Sequence, residues 1–464
     1  MPMTEKDQGT EERRSLPARV WRSIFRGPVV PRTDQERKWV VFNTLVLHLR
    51  PIRVPASTLK FSHTFGLGGS CLVLFLLLAA TGLLMMFVYV PSPERAYDSV
   101  VALEDDVAFG SLVRGVHHWS ANLLVVFAAL HMLRVFLTGG FLGPRQFNWI
   151  VGLCLLLWVL AANFTGYLLP WDQLSYWAIT ISTGMVTYLP GAGPGLQEIV
   201  RGGGEIGAAT LINFYALHTT FLPILFLSFG AWHFWRVRKA KGVVRPRRAD
   251  GSPAGPEESV LFLPNLLLRE VALALALLAG MVVLATLLGA PLGERANPGM
   301  SPNPAKAPWY FVGFQELLLH LHPFFAVCVI PLCAALALAL LPYLRTEEED
   351  ATGIWFRSAR GRRLAAWTAG LGALLGVGGV LFDELVLTGG RAVDASGAFV
   401  ARGLVPFALL LVGLALFARF LRRRRGATRD EAVLAIFCLL AVVFVALTVI
   451  GYGFRGEGMA LRWP

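Results

Sequence analysis

The sequence predicts an all-α polytopic membrane protein with about nine transmembrane helices. Three observations carry this prediction. Of the 464 residues 55% are hydrophobic and only 16% charged, and the mean hydropathy is +0.58, too apolar for an ordinary soluble chain. The apolar residues are gathered in runs long enough to cross about 30 Å of hydrocarbon at roughly 1.5 Å per residue. The net charge of +12 lies in short stretches between those runs rather than on one continuous face, a pattern of membrane topology and not of nucleic-acid binding.

Taken in order, residues 1–60 are polar and rich in both charges, without the short apolar core of a cleavable signal peptide. They read as a cytoplasmic amino-terminal extension, in which KWVVFNTLVLHL, residues 38–49, has the spacing of a helix lying along the membrane surface. Apolar runs follow near 66–90, 112–137, 148–169, 211–235, 266–290, 324–344, 364–386, 403–421 and 431–452. The loop after the fourth run holds Arg236, Arg238, Lys239, Lys241, Arg245, Arg247 and Arg248, and the loop after the first holds Glu94, Asp98, Glu104, Asp105 and Asp106. The basic loops therefore face the cytoplasm. Simple alternation then puts Arg345 to Arg363 and Arg422 to Arg425 on the same inner side.

Residues 61–240 form a four-helix core, 241–263 a Pro-, Gly- and charge-rich linker, 264–345 a two-helix part and 346–464 additional helices. Two long outer connections, 170–210 and 291–323, are site candidates. Cys71, Cys154, Cys328, Cys333 and Cys438 all sit in apolar runs with no metal-binding spacing, and read as packing residues.

The histidines give the core its chemistry. His117 and His131 are 14 residues apart, about four helical turns and about 21 Å, with a rotational error of about 40°. His218 and His233 in the fourth run repeat the pattern at 15 residues. The first and third runs have Gly68 and Gly82, and Gly152 and Gly166, again 14 apart. Glycine admits a flat object close to a backbone. Paired histidines on two helices and paired glycines on two others predict a dihaem four-helix bundle, its haems bis-histidine ligated and stacked at two depths. Because the second and fourth runs both enter from the outer side, His117 pairs with His218 and His131 with His233. His117 and His118 both fit the outer position by spacing. Arg114 and Arg134, one turn beyond each end of the 117–131 pair, are positioned to neutralise haem propionates.

RGVHHWSA, LRVFLTGGFLGPR, TGYLLPWDQLSYWA and FYALHTTFLP resemble cytochrome b of the quinol-oxidising cytochrome bc complexes. They are most similar to the photosynthetic branch, whose fourth helix shares the 15-residue interval. The resemblance covers about residues 61–345 and favours His117, which follows Arg114 by three, as the outer ligand. In that branch this protein is two chains; here both parts are fused. The resemblance implies two non-covalent b-type haems, quinol oxidation at an outer site, quinone reduction at an inner site and proton translocation. It further implies a Rieske iron-sulfur protein, a cytochrome c or equivalent acceptor, a homodimer within a larger complex, and a place in the bacterial cytoplasmic membrane with the amino terminus inside.

Residues 170–190 and KAPWYFVGFQEL, residues 306–317, match the two segments of the family's outer quinol pocket. Trp309 and Tyr310 match its aromatic pair, with Tyr167 and Tyr176 as wall residues. The family's Pro-Glu-Trp-Tyr reads Ala307-Pro308-Trp309-Tyr310, so the usual proton-accepting carboxylate is missing. Asp172 and Glu316 are the candidates to replace it, as partly buried acids with raised pKa. Loss of that Glu accompanies low-potential quinones, which points by analogy to menaquinol. The branch's covalent haem uses a Cys at the position of Gly66, so no covalent haem is expected. Arg238, five residues after His233, matches an inner-site position, with Lys239, Arg269 and Glu270 nearby as charged neighbours. The competing readings are a dihaem membrane anchor for a dehydrogenase or hydrogenase, and a cofactor-free transporter relaying protons through its histidines.

Overall fold

A computed structural model describes residues 16–24, 33, 53–344, 352–387 and 395–462. The surface helix expected at 38–49 lies outside the described residues. Among the described residues, nine helices are long and apolar enough to cross a membrane: Leu67–Met85, Gly110–Leu137, Gly143–Tyr167, Ala208–Lys239, Pro264–Leu288, Phe324–Tyr343, Ala359–Val386, Gly397–Arg424 and Arg429–Gly453. They are the first to ninth spans below, and the ends carrying the basic loops are called inner.

The first span packs along the second and the fourth along the third, while the fifth lies against the first and second. Leu74, Val116, Leu124, Val125, Val159, Met281 and Ala285 form the buried core between them. These are apolar residues of the first, second, third and fifth spans, and their burial ties the four together.

The last three spans are tied to the rest by close backbone packing. The seventh lies on the ninth along Gly372 and Gly376, where an added methyl group would come within 2.5 Å of the Leu439 carbonyl and 2.9 Å of Ala446 Cβ. Small residues four apart let two membrane helices approach this closely. The ninth span begins at Thr428, which forms a reciprocal cap with Glu431, and its Phe437 ring lies 4.0 Å from Phe136 of the second span.

The linker expected at 241–263 is stitched down rather than free. Ser259–Leu261 pairs antiparallel with Arg53–Pro55, Arg247 N donates to the Gly353 carbonyl at 3.0 Å, and Val244 O lies 2.6 Å from His63 Nε2. Composition reads this stretch as a connector, but its backbone groups find partners on the inner face of the bundle.

On the outer side, helices Ala96–Asp105, Gln173–Gly184 and Trp309–His320 cap the spans. Trp309–His320 packs along the ninth span.

Candidate functional site

The four core histidines meet in two couples. The rings of His117 and His218 have centroids 6.2 Å apart and lie 66° from parallel; those of His131 and His233 are 6.3 Å apart at 76°. Their unequal sequence intervals are reconciled by a π-helical turn, Leu217–Phe221, that contains His218 and precedes Pro223. Such a turn takes up an extra residue. Fifteen residues on the fourth span therefore behave much like fourteen on the second, and both couples close across the bundle.

Each glycine faces one imidazole. A methyl group placed on Gly82 would sit 3.2 Å from His117 Cε1, on Gly68 3.2 Å from His131 Cε1, on Gly152 3.5 Å from His233 Cε1, and on Gly166 only 2.5 Å from His218 Cε1. The glycines thus clear room for the edges of the ligand rings, which refines the expectation that a flat cofactor itself lies on them. Hydrogen bonds fix the outer rings. Thr81 Oγ1 donates to Leu77 O at 2.7 Å and so accepts from His117 Nδ1 at 2.9 Å. His218 Nδ1 donates to Ala162 O at 2.9 Å. A proton on Nδ1 leaves the Nε2 lone pair as the donor to a metal.

These features fit a haem. Two imidazoles on one iron, with bonds of about 2 Å, need ring centres about 6 Å apart. Each couple supplies two nitrogen donors to one iron.

His118 stands on another face, its Nε2 3.3 Å from Asn122 Nδ2 and its ring edge-on to Trp119. Asn122 Oδ1 in turn accepts from Trp309 Nε1 at 2.7 Å. The two arginines expected to lie near the propionates are buried and also have protein partners. Arg114 pairs with Glu104 and donates to Ala290 O at 2.9 Å and Pro291 O at 2.7 Å. Arg134 donates to His63 O at 3.0 Å, with its Nη2 3.0 Å from His63 Nε2. Burial and then the Arg134 charge lower the His63 pKa to about 4, so this imidazole is neutral at pH 7.

The two long outer loops meet, and Asp172 lies at their junction. It caps helix Gln173–Gly184 through Oδ1, which accepts from Ser175 N at 2.8 Å, and its Oδ2 accepts from Gly293 N at 3.0 Å. Gln173 N donates to Glu294 O at 2.7 Å and Ala296 N to Trp171 O at 3.1 Å. Asp172 is therefore a joint between the loops, with both oxygens engaged. Tyr176 is buried edge-on against Trp171 and Trp177, and burial, then Glu205, pushes its phenol above its ordinary value. Tyr310 packs between Trp309 and Phe311; burial, then the neighbouring Tyr167, pushes its phenol up. Tyr167, Trp309 and Tyr310 are thus brought together where the third span ends.

Glu316 departs most from its sequence reading. It is fully buried and faces the ninth span, with Arg455 Nη2 donating to it at 2.5 Å. Burial pushes its carboxyl up, but hydrogen bonds from His320 and Arg455 outweigh this and hold it below the usual carboxylate range. It is neither a surface acid nor an acid with a raised pKa. Arg455, Asp383, Glu384, His320 and Asn122 were not singled out from sequence; Asp383 and Glu384, charges within an apolar run, are the available signal.

At the inner end Arg238 lies on the last turn of the fourth span beyond His233, Lys239 Nζ sits 4.5 Å from the Trp235 ring centre, and Arg269 bonds Leu59 O. Gly66 precedes the first span with φ +63°, and a methyl group there would lie 2.5 Å from Leu273 Cδ2, so a side chain at that position is opposed by both backbone and packing.

Fold and site together define a polytopic four-helix-bundle membrane protein with two paired-imidazole sites. A family model described as Cytochrome b/b6/petB matches residues 53–241. Cytochrome b6 of Prochlorococcus marinus (strain NATL1A) is 46% identical over 180 residues, which is 39% of this chain and 82% of that protein. Cytochrome b6 of Synechococcus sp. (strain CC9605) is 45% identical over the same length and coverage. A solved structure described as "Hyperthermophilic respiratory Complex III" is similar in fold, with a TM-score of 0.59 at 23% identity, over 89% of this chain and 96% of that one. The chain belongs to the cytochrome b/b6 family. Non-covalent b haem is the cofactor that this family implies.

Proposed function

We propose that this chain is the cytochrome b subunit of a bacterial cytochrome bc complex, oxidising quinol at an outer site and serving a second quinone site inside, coupled to proton translocation. The observation that carries the reading is the pair of imidazole couples at two depths, each ring backed by a glycine. His117 and His218 would hold the outer b haem, and His131 and His233 the inner one. Bound there, the haems supply one-electron transfer across the membrane.

The chain's own residues prepare the outer site. The Trp309–Asn122 bond anchors the start of helix Trp309–His320 to the second span, and Asp172 joins the two loops. Tyr310, Tyr167 and Tyr176 supply aromatic walls and, with raised phenols where burial acts, neutral hydroxyls that can orient a quinol without ionising. The missing carboxylate at Pro308 supports a low-potential quinol such as menaquinol. Arg238 is assigned to the inner quinone site. Stitched loops of this kind favour a quinol-oxidising subunit over a bare dihaem anchor, which needs only the bundle. The partners are a Rieske iron-sulfur protein and a cytochrome c or equivalent acceptor in a homodimeric complex.

The test is quinol-driven reduction of the purified complex. The b-type absorption band should appear on adding a naphthoquinol, and Tyr310→Ala should slow its appearance while pigment content is unchanged. A band that responds to dithionite but never to quinol would support the anchor, and no band at all would support the transporter.

A further inference from the structure

Five ionisable side chains from three separate parts of the chain meet at the outer end. Glu316 and His320 lie on helix Trp309–His320, Asp383 and Glu384 on the π-helical turn Asp383–Leu387 that ends the seventh span, and Arg455 just beyond the ninth. Arg455 Nε lies 3.1 Å from both Glu316 oxygens, and its Nη1 donates to Glu384 Oε1 at 2.6 Å. The imidazole of His320 bridges two acids, with Nδ1 2.6 Å from Asp383 Oδ2 and Nε2 3.2 Å from Glu316 Oε1. Arg455 Nη2 also comes within 3.4 Å of Nε2.

The cluster holds three carboxylates and one guanidinium, Glu316 and Glu384 on Arg455 and Asp383 on His320, so an added proton is favoured at the imidazole. Side-chain exposure rises along the group, from 0% at Glu316 through 12% at His320 and 13% at Asp383 to 26% at Glu384. A cluster serving cohesion alone would gain more from matched or apolar partners, because buried charge costs desolvation. An imidazole with one nitrogen toward a buried acid and the other toward a more exposed one has the arrangement of a proton relay. Glu316 shares a helix face with Trp309, seven residues and about 10 Å away. Lys306, on the loop leading into this helix, donates to the Tyr452 carbonyl.

We propose that the Glu316–His320–Asp383 relay, completed by the carboxy-terminal helices, carries a proton of quinol oxidation to the outer surface in place of the carboxylate missing beside Trp309. The inference rests on the quinol-oxidising function proposed above. The quinol O–H bond breaks as an O–H bond forms at a Glu316 oxygen; that bond breaks in turn as an N–H bond forms at Nε2 of the neutral His320 imidazole, which carries its resting proton on Nδ1. The Nδ1 proton moves to Asp383 and from there to water. The two electrons of the quinol leave separately, to the one-electron iron-sulfur and haem acceptors of that function. Burial lowers the His320 pKa, but bonds to Glu316 and Asp383 raise it on balance, which favours transfer of a proton onto the imidazole.

The test uses the intact complex with a short-chain naphthoquinol and compares wild type with His320→Gln and Asp383→Asn across a pH series. Both variants should keep the reduced b-band and the naphthoquinol KM, lower kcat by about 10²-fold, and lose the wild-type pH limb. Unchanged kcat and pH profile in either variant that retains the b-band would overturn the relay, as would a raised KM with the wild-type pH profile, the mark of a merely structural role. Absence of naphthoquinol oxidation by the wild-type complex would instead defeat the function on which the relay depends.

Discussion

Gly166 lies so close to His218 that a methyl group on its Cα would sit 2.5 Å from the imidazole Cε1 and 2.8 Å from Nδ1, whereas one on Gly152 would sit 3.5 Å from His233 Cε1. The two positions are equivalent in spacing and unequal in room. Gly166→Ala should displace His218, cost about 1–3 kcal/mol through overpacking, and remove the outer haem while the inner one stays. Gly152→Ala should keep both. Pigment content of the two variants, measured side by side, checks the difference.

Asp172 binds two backbone N–H groups, one in its own helix and one at Gly293. Asp172→Ala should lower stability by about 1 kcal/mol or somewhat more and loosen the contact between the outer loops. A thermal melt followed by loop proteolysis would register both effects. The pH dependence of quinol turnover should keep its shape, since the carboxylate acts here as a cap and joint.

Asn122 accepts from Trp309 Nε1 at 2.7 Å. In Asn122→Ala the indole loses that partner inside the bundle, a cost of about 1–3 kcal/mol. The predicted outcome is a raised quinol KM with both haems bound. An unchanged KM would show that Trp309 is positioned by packing alone.

The buried cluster also predicts a stability profile. Glu316 has a folded pKa below its ordinary 4.5, because bonds from His320 and Arg455 outweigh burial. Its contribution is present above pH 4.5 and is lost as the pH falls through the folded value. His320 has a folded pKa above its ordinary 6.5. Its contribution is complete below pH 6.5 and is lost as the pH rises through the folded value. Together they place the firmest attachment of the carboxy-terminal helices between pH 4.5 and 6.5. Thermal melts in a pH series should fall off on both sides, and His320→Gln should flatten the alkaline side and weaken the acid side, where Glu316 keeps only its bonds from Arg455.

Much of this is legible in the amino-acid order because the membrane imposes a simple rule on it. Nine apolar runs must become helices to satisfy their backbones, and a four-turn interval puts His117 and His131 on one face. The π-helical turn at His218 is not legible, since it depends on how one extra residue is absorbed beside Pro223. Nor is the fate of Glu316, whose partner Arg455 is 139 residues away; a helix-surface acid and a buried ion pair look alike until the ninth span is in place. Arg114 and Arg134 sit one turn beyond the histidines, but their protein partners Glu104 and His63 are supplied by segments whose course carries no periodic signal. Spacing alone leaves His117 and His118 equal; the resemblance separates them, and the Asn122–Trp309 contact beside His118 gives the physical reason.

The central claim is that His117 with His218, and His131 with His233, hold two separate haems. A potentiometric titration of reduced-band absorbance on wild type, His218→Leu and His233→Leu addresses it directly. Wild type should titrate as two one-electron components, and each variant should lose one component, a different one in each case, while the other persists. Loss of both components in a folded single variant, or the same component lost from both, would contradict the pairing.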